Sequence, residues 1–203
     1  MSMTTFAELE SLVVEQTRRP EISSVTKAAI RTATLRAHHT DFFPRDLAQG
    51  PLLYTLSSTA QFYDFPNISQ TLLRMRSLKL IHGIDAVTSA PVEQLEFREA
   101  DDLFDADGNR RPHIYTLVGD TLRVYFSAPT GAATAFFYQN PQTSEAQYSS
   151  WIADTYPDEL AAWAAGIVFA RTGFTEMAQQ FQELHVRPFK ELLISSHLLG
   201  NVS

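Results

Sequence analysis

Trp151-Ile-Ala-Asp-Thr-Tyr156-Pro157-Asp-Glu-Leu160 decides how this chain is organised, because it closes a run of short β patterns and opens a helix. Proline at the first helical position has its φ already set and no intrahelical bond to lose, and Asp158 and Glu159 suit the positive end of the helix dipole. Leu160, Trp163, Ala164, Ile167 and Val168 follow at helical spacing and Gly173 supplies the stop, which predicts an amphipathic helix. A second helix is expected from Thr175-Glu176, with Met177, Phe181, Leu184, Pro188 and Leu192 on one stripe. Pro188 lacks an N–H and crowds the preceding turn, so it must kink or divide that helix.

The N-terminus is helical too. Phe6, Leu9, Leu12 and Val13 recur at helical spacing, and Thr5 with Glu8 three residues on predicts a capping box for a helix ending before Pro20. Ile22, Val25, Ala29, Ile30, Ala33 and Ala37 mark one face of a second helix that fades into His38-His39-Thr40, its alanines allowing close packing.

From about Pro51 the period changes. Leu52 to Leu56, Gln61 to Phe65 and Leu72 to Ile81 carry strand composition; Val92 to Phe97 is read as a short helix. Ile114 to Val118 and Leu122 to Phe126 flank Gly119-Asp120 as a hairpin flanks its turn, and Ala133 to Gln139 is a further strand before Asn140-Pro141. The order helix, helix, β block, helix, helix gives an α+β expectation. It is an antiparallel helical bundle built from the N- and C-terminal helices, residues 1–48 and 148–203, with a C-terminal arm. A small β-sandwich or open barrel is inserted over residues 51–141.

At 203 residues, 44% hydrophobic and 19% charged, the chain has the composition of an ordinary globular protein. A net charge of −7 argues against an extended nucleic-acid footprint, and the absence of cysteine excludes disulfides, thiolate zinc sites and Cys nucleophiles. The first residues lack the basic region of a secretory signal and no apolar run approaches a membrane span, so a cytoplasmic product with no membrane anchor is expected.

Chemical motifs are sparse. Asp105-Ala-Asp107-Gly108-Asn109 invites a calcium loop, but with Gly108 at the sixth position the first ligand would be Leu103 and the last Ile114, so a β-turn with Asp101, Asp102 and Asp105 in a solvated loop fits better. His38 and His39 lie on different helix faces, without the i, i+4 geometry of a helical metal site, and are read as helix-end residues. No phosphate loop, nucleophile elbow or zinc-protease helix is present. A weaker hydrolase reading uses His82 or His113 with a nearby acid. The aromatics Tyr54, Phe62, Tyr63, Phe65, Tyr125, Phe136, Phe137 and Tyr138 are read as core packing, with a carbohydrate or small-ligand groove as the alternative. The apolar tail from Phe189 to Val202 either docks on its own core or acts as an arm into a partner.

The chain resembles the head-to-tail adaptor (connector, head-completion) proteins of tailed bacteriophages. The resemblance runs through Phe6 to Leu9, Ala29 to His38, Asp41-Phe42-Phe43-Pro44-Arg45-Asp46, the hairpin Tyr115 to Leu122, Phe137 to Pro141 and, most strongly, Ser150 to Pro157. It implies a non-enzymatic structural virion protein at the head-tail junction, without cofactor or metal, assembled as a homo-oligomeric ring, typically a dodecamer. Its partners would be the portal protein and tail (nozzle, tube or tail-completion) proteins, with DNA passing through the lumen without specific binding and no membrane contact. Phe189, Leu192, Leu193, His197, Leu198 and Leu199 would face the portal; Asp107, Gly108, Asn109, Gly119 and Asp120 would face the tail or ring neighbours.

Overall fold

Thr5 opens the first helix as a capping box: its side chain accepts from Glu8 N, and the Glu8 carboxylate accepts from Thr5 N at 2.7 Å. That bond holds the Glu8 carboxyl below the usual carboxylate range. The computed structural model describes residues 4–53, 62–84, 91–99, 113–125 and 132–200, without the side chains of 53, 62, 92, 93, 132 and 197–200. The chain divides into two compact units, Met1–Asp46 with Asn140–Ser203, and Leu47–Gln139. The fold is mixed α+β.

The first unit is helical: α1 (Phe6–Thr17), α2 (Ser23–His38), α4 (Trp151–Thr155), α5 (Pro157–Arg171), α6 (Thr175–Phe181) and α7 (Arg187–Gly200), with a π-helical segment, Gln182–Val186, between the last two. Helix α5 is its axis. It starts on Pro157 and stops before Gly173, whose φ of 84° leaves the right-handed helix, as its sequence signals require. It is not amphipathic, however. Leu160 to Ala165, Val168 and Phe169 are all buried, because α1, α2 and α6 pack around it and the alanines admit them closely.

The second C-terminal helix also departs from its sequence reading. Pro188 does not break it; the adjustment comes one turn earlier, where Arg187 N–H donates to Gln182 O, five residues back. A π segment widens the turn and so relieves the missing bond at a proline. One inserted residue rotates the helix beyond it, so the buried positions run Val186, Phe189 and Leu193. Of the expected stripe Phe181 packs against the core, while Met177, Leu184 and Leu192 face solvent at 40%, 62% and 43% exposure.

The second unit is one seven-stranded sheet curled into a half-barrel, in the order β1-β7-β3-β4-β5-β6-β2. Its strands are β1 (Leu47–Leu53), β2 (Phe62–Pro66), β3 (Met75–Ile84), β4 (Pro91–Phe97), β5 (Ile114–Val118), β6 (Thr121–Tyr125) and β7 (Ala132–Gln139), with a one-turn helix α3 (Ile68–Thr71) after β2. Val92 to Phe97, expected as a helix, is strand, held by antiparallel pairing with β3 and parallel pairing with β5. Register shifts in β3 at Met75/Ser77, Leu78/Leu80 and Gly83/Ile84 bend the sheet. The core of this unit buries Leu52, Ile68, Leu72, Ile81, Leu95, Leu122, Val124 and Phe137.

Gly50 is the tightest point of this core. A Cβ there would lie 2.7 Å from Leu72 Cδ2 and 3.2 Å from Phe137 Cε1, both on buried side chains. Gly50→Ala is expected to cost about 1–3 kcal/mol in urea unfolding; an unchanged midpoint would show that Leu72 swings aside freely.

Candidate functional site

The helical unit is built from two separate stretches of chain, and its one buried polar network ties them together among the described residues. Helix α2 ends at His38, and Asp46 closes the short 3-10 turn Pro44–Asp46 that follows. The returning segment ends at Ser150, whose extended backbone makes it the N-cap of α4, its Oγ accepting from Ala153 N at 3.2 Å. His38 Nδ1 lies 2.8 Å from Asp46 Oδ1 and Nε2 lies 2.9 Å from Ser150 Oγ. Trp151 Nε1–H donates to the same Asp46 oxygen at 2.8 Å, with its ring edge-on to His38. An ionised carboxylate only accepts, so Nδ1 carries the proton and Nε2 accepts from the Ser150 hydroxyl.

Acid, imidazole and hydroxyl in this order also make a nucleophilic triad. Here His38 is 2% exposed and Ser150 4%, and the Ser150 oxygen already serves a helix cap. The arrangement braces two chain segments and presents no hydroxyl to a substrate. Sequence reading placed His38 at a helix end without its partners; the available signal was a histidine beside Ala37 on the alanine face, where a buried polar ring requires neighbours on both nitrogens.

A second polar link lies beside it. Thr34 Oγ1 donates to Ile30 O and sits 2.8 Å from Tyr148 OH, which therefore donates to it. Burial pushes the Tyr148 hydroxyl up to about 12. On the surface, Glu145 takes Lys27 Nζ at 2.8 Å and Arg31 Nη2 at 2.9 Å, and Lys27 holds its carboxyl below the ordinary value.

The residues expected to face partners are spread over several environments. Phe189 is buried, edge-on to Tyr156 and Trp163, and Leu193 is fully enclosed. This stretch of the tail docks on its own core, and Leu192 and Ile194 are the large apolar side chains that α7 exposes there. His197, Leu198 and Leu199 continue the backbone of α7, and their side chains lie outside the described set. Gly119, with φ of 61°, opens the two-residue turn between β5 and β6. Asp120 is tied inward: its carboxylate accepts from Ser69 N at 2.9 Å and Ser69 Oγ at 2.7 Å, clamping α3 to the turn. Asp107, Gly108 and Asn109 lie outside the described residues, as does Tyr54.

Phe137, Tyr63 and Phe65 pack in or against the sheet core, while Tyr138 lies under Arg76 and Lys79. His82 stands edge-on to Phe136, and His113 is exposed just before β5. Among the described residues no three His, Asp or Glu side chains could hold a metal ion, and no helix is long and apolar enough to cross a membrane.

Two clefts open on the helical unit. One, of about 400 Å³, lies between α1, α5 and the π segment, with Asp158, Glu159 and His185 on its wall. The other, of about 530 Å³, lies between the end of α2, α5 and α7, with Arg36, His39 and Lys190 around Trp163.

A family model described as SU10 adaptor protein matches residues 4–187, spanning both segments of the helical unit and the whole sheet. No curated protein matches the chain.

Asp46→Ala strands the His38 and Trp151 N–H donors and is expected to cost about 3 kcal/mol in urea unfolding; a much smaller loss would mean that water replaces the carboxylate. Tyr148 is stabilising while neutral. Its pKa rises on folding from 10.0 to about 12, so its contribution is complete below pH 10 and is lost as pH climbs toward 12. Tyr148→Phe should flatten this alkaline fall in melting temperature.

Proposed function

This chain belongs to the SU10 adaptor protein family, and on that premise we propose that it is a structural virion protein of a tailed phage that joins the portal of the capsid to the tail. The observation that carries the reading is the extent of the family match, residues 4–187, which takes in α1 through the π segment.

In this reading several copies close into a ring, with twelve as the expected number; a heterologous contact forms such a ring when its rotation divides a full turn. The work is done by buried interface area and involves no chemical step, cofactor or metal. The outer face of the C-terminal helices docks on the portal. Leu184 and Leu192 expose apolar surface there beside Pro188, and exposed apolar groups support an interface role. His197, Leu198 and Leu199 extend the same helix toward the portal, while the β5–β6 turn at Gly119-Asp120 and the Asp107 to Asn109 segment meet tail proteins or ring neighbours. A net charge of −7 suits a lumen through which DNA slides without sticking.

The test is the mass and negative-stain image of the full chain, alone and with the portal protein of the same genome. Leu184→Asp with Leu192→Asp should abolish the portal-bound ring with little change in melting temperature, because neither side chain belongs to the buried core. Phe189→Ala should instead lower stability by about 3–5 kcal/mol, as an emptied core position does. A wild-type chain that stays monomeric and ignores the portal overturns the reading.

A further inference from the structure

We propose that neighbouring copies of this chain meet head to tail through the two clefts of the helical unit, the acidic first turn of α5 in one copy entering the basic cleft of the next. The proposal rests on the ring reading and names the contact that would close it.

The basic cleft brings together two cations that no carboxylate holds among the described residues. Lys27, Arg31, Arg123 and Arg187 each have a carboxylate within ion-pair distance. Arg36 and Lys190, which face the 530 Å³ cleft, have no acid partner among the described residues. Lys190 Nζ instead lies 5.0 Å over the Trp163 ring, and His39 is bonded to Asn140 Oδ1 at 2.7 Å. Two unpaired cations converge on one concave site in a chain whose net charge is −7. Such a cleft takes an anionic group, Arg36 offering a two-pronged donor and Lys190 a point charge.

The same helical unit carries a matching anion. Asp158 and Glu159 are exposed on the rim of the 400 Å³ cleft and have no cation partner among the described residues. Inside that cleft the Gln16 Oε1 atom is buried without a hydrogen bond. Two carboxylates thus answer two cations. The clefts share no residue, so the contact is heterologous and repeats by rotation. Both borrow their walls from α5 and the π segment: Ala162 and His185 line one, Trp163 and Gln182 the other. The angle between successive copies is therefore set by rigid helix. A nucleic-acid backbone is the weaker occupant, since phosphate tracking needs a run of cations along a surface.

The chain has no cysteine, which makes a direct test available. Full-length Arg36→Cys/Glu159→Cys protein is assembled with the portal and oxidised. Disulfide-linked trimers and larger species are expected, while each single-cysteine variant, with no thiol opposite its own, stays monomeric. In parallel, Arg36→Glu/Lys190→Glu should lower the assembled fraction about tenfold by placing like charges together. Adding Asp158→Lys/Glu159→Lys in the same chain should restore it.

A wild-type ring on the portal that yields no ladder and ignores the charge reversals overturns this contact and leaves the ring standing. A wild-type chain that never assembles overturns both. Reversal at Arg36 and Lys190 that abolishes DNA retention while the ring persists would assign the cleft to nucleic acid and likewise overturn the proposal.

Discussion

Asp46 is the constraint on which the helical unit depends. One carboxylate oxygen receives the imidazole of α2 and the indole of α4, and between those partners the chain has run through an entire sheet. Joining segments so far apart in sequence costs loop-closure entropy that grows only slowly with length. It must still be repaid by contacts that form only when both segments are in place. The brace does this with directional bonds, while Ile152 and Ala153 bury against Phe43 and the α2 alanines. Thr4 adds a stitch at the opposite end, its N–H donating to Asp154 Oδ1 at 2.6 Å. A buried carboxylate shared by two donors is worthwhile only where geometry must be unique, and the junction of discontinuous segments is such a place.

Local rules made the helix boundaries legible. The Thr5–Glu8 capping box, Pro157 at the start of α5 and Gly173 after its end all read directly, because each acts within one turn. Faces were less legible. The α5 pattern looked amphipathic only because alanine is counted as neither core nor surface. In the last helix a regular 3.6-residue count from Met177 to Leu192 gave a coherent stripe, of which Phe181 keeps to the core and Met177, Leu184 and Leu192 do not. A single π segment, invisible to any fixed period, turned Phe189 and Leu193 inward. Pro188 was correctly read as a disturbance, and the adjustment appeared one turn upstream, at the carbonyls it leaves unserved.

The sheet was legible where hairpins are local and obscure where pairing is remote. Gly119-Asp120 announced β5 and β6. Val92 to Phe97 gave a weak local signal, and only its placement between β3 and β5 makes it strand. Gly50-Pro51 looked like a boundary but lies inside β1, because glycine is needed beneath Leu72 and Phe137 and an edge strand tolerates proline. Of the candidate site, the exposed apolar side chains were in view from the start, though on the wrong face. The His38 network was not, since its members meet only in three dimensions.

The sheet begins and ends on paired strands: Leu47, the first residue of β1, stands opposite Tyr138 near the end of β7. The two points where the chain crosses between units are thus neighbours, separated by no more than the spacing of adjacent strands, about 5 Å. To the helices, a sheet of any size is equivalent to a short hairpin bridging that gap. The insert can therefore lengthen, shorten or be exchanged for another whose ends are likewise paired, while the helical unit keeps its own solution. Changes in the insert and changes in the helical scaffold are thereby mechanically separable, so a different surface can be carried on a scaffold that need not change with it.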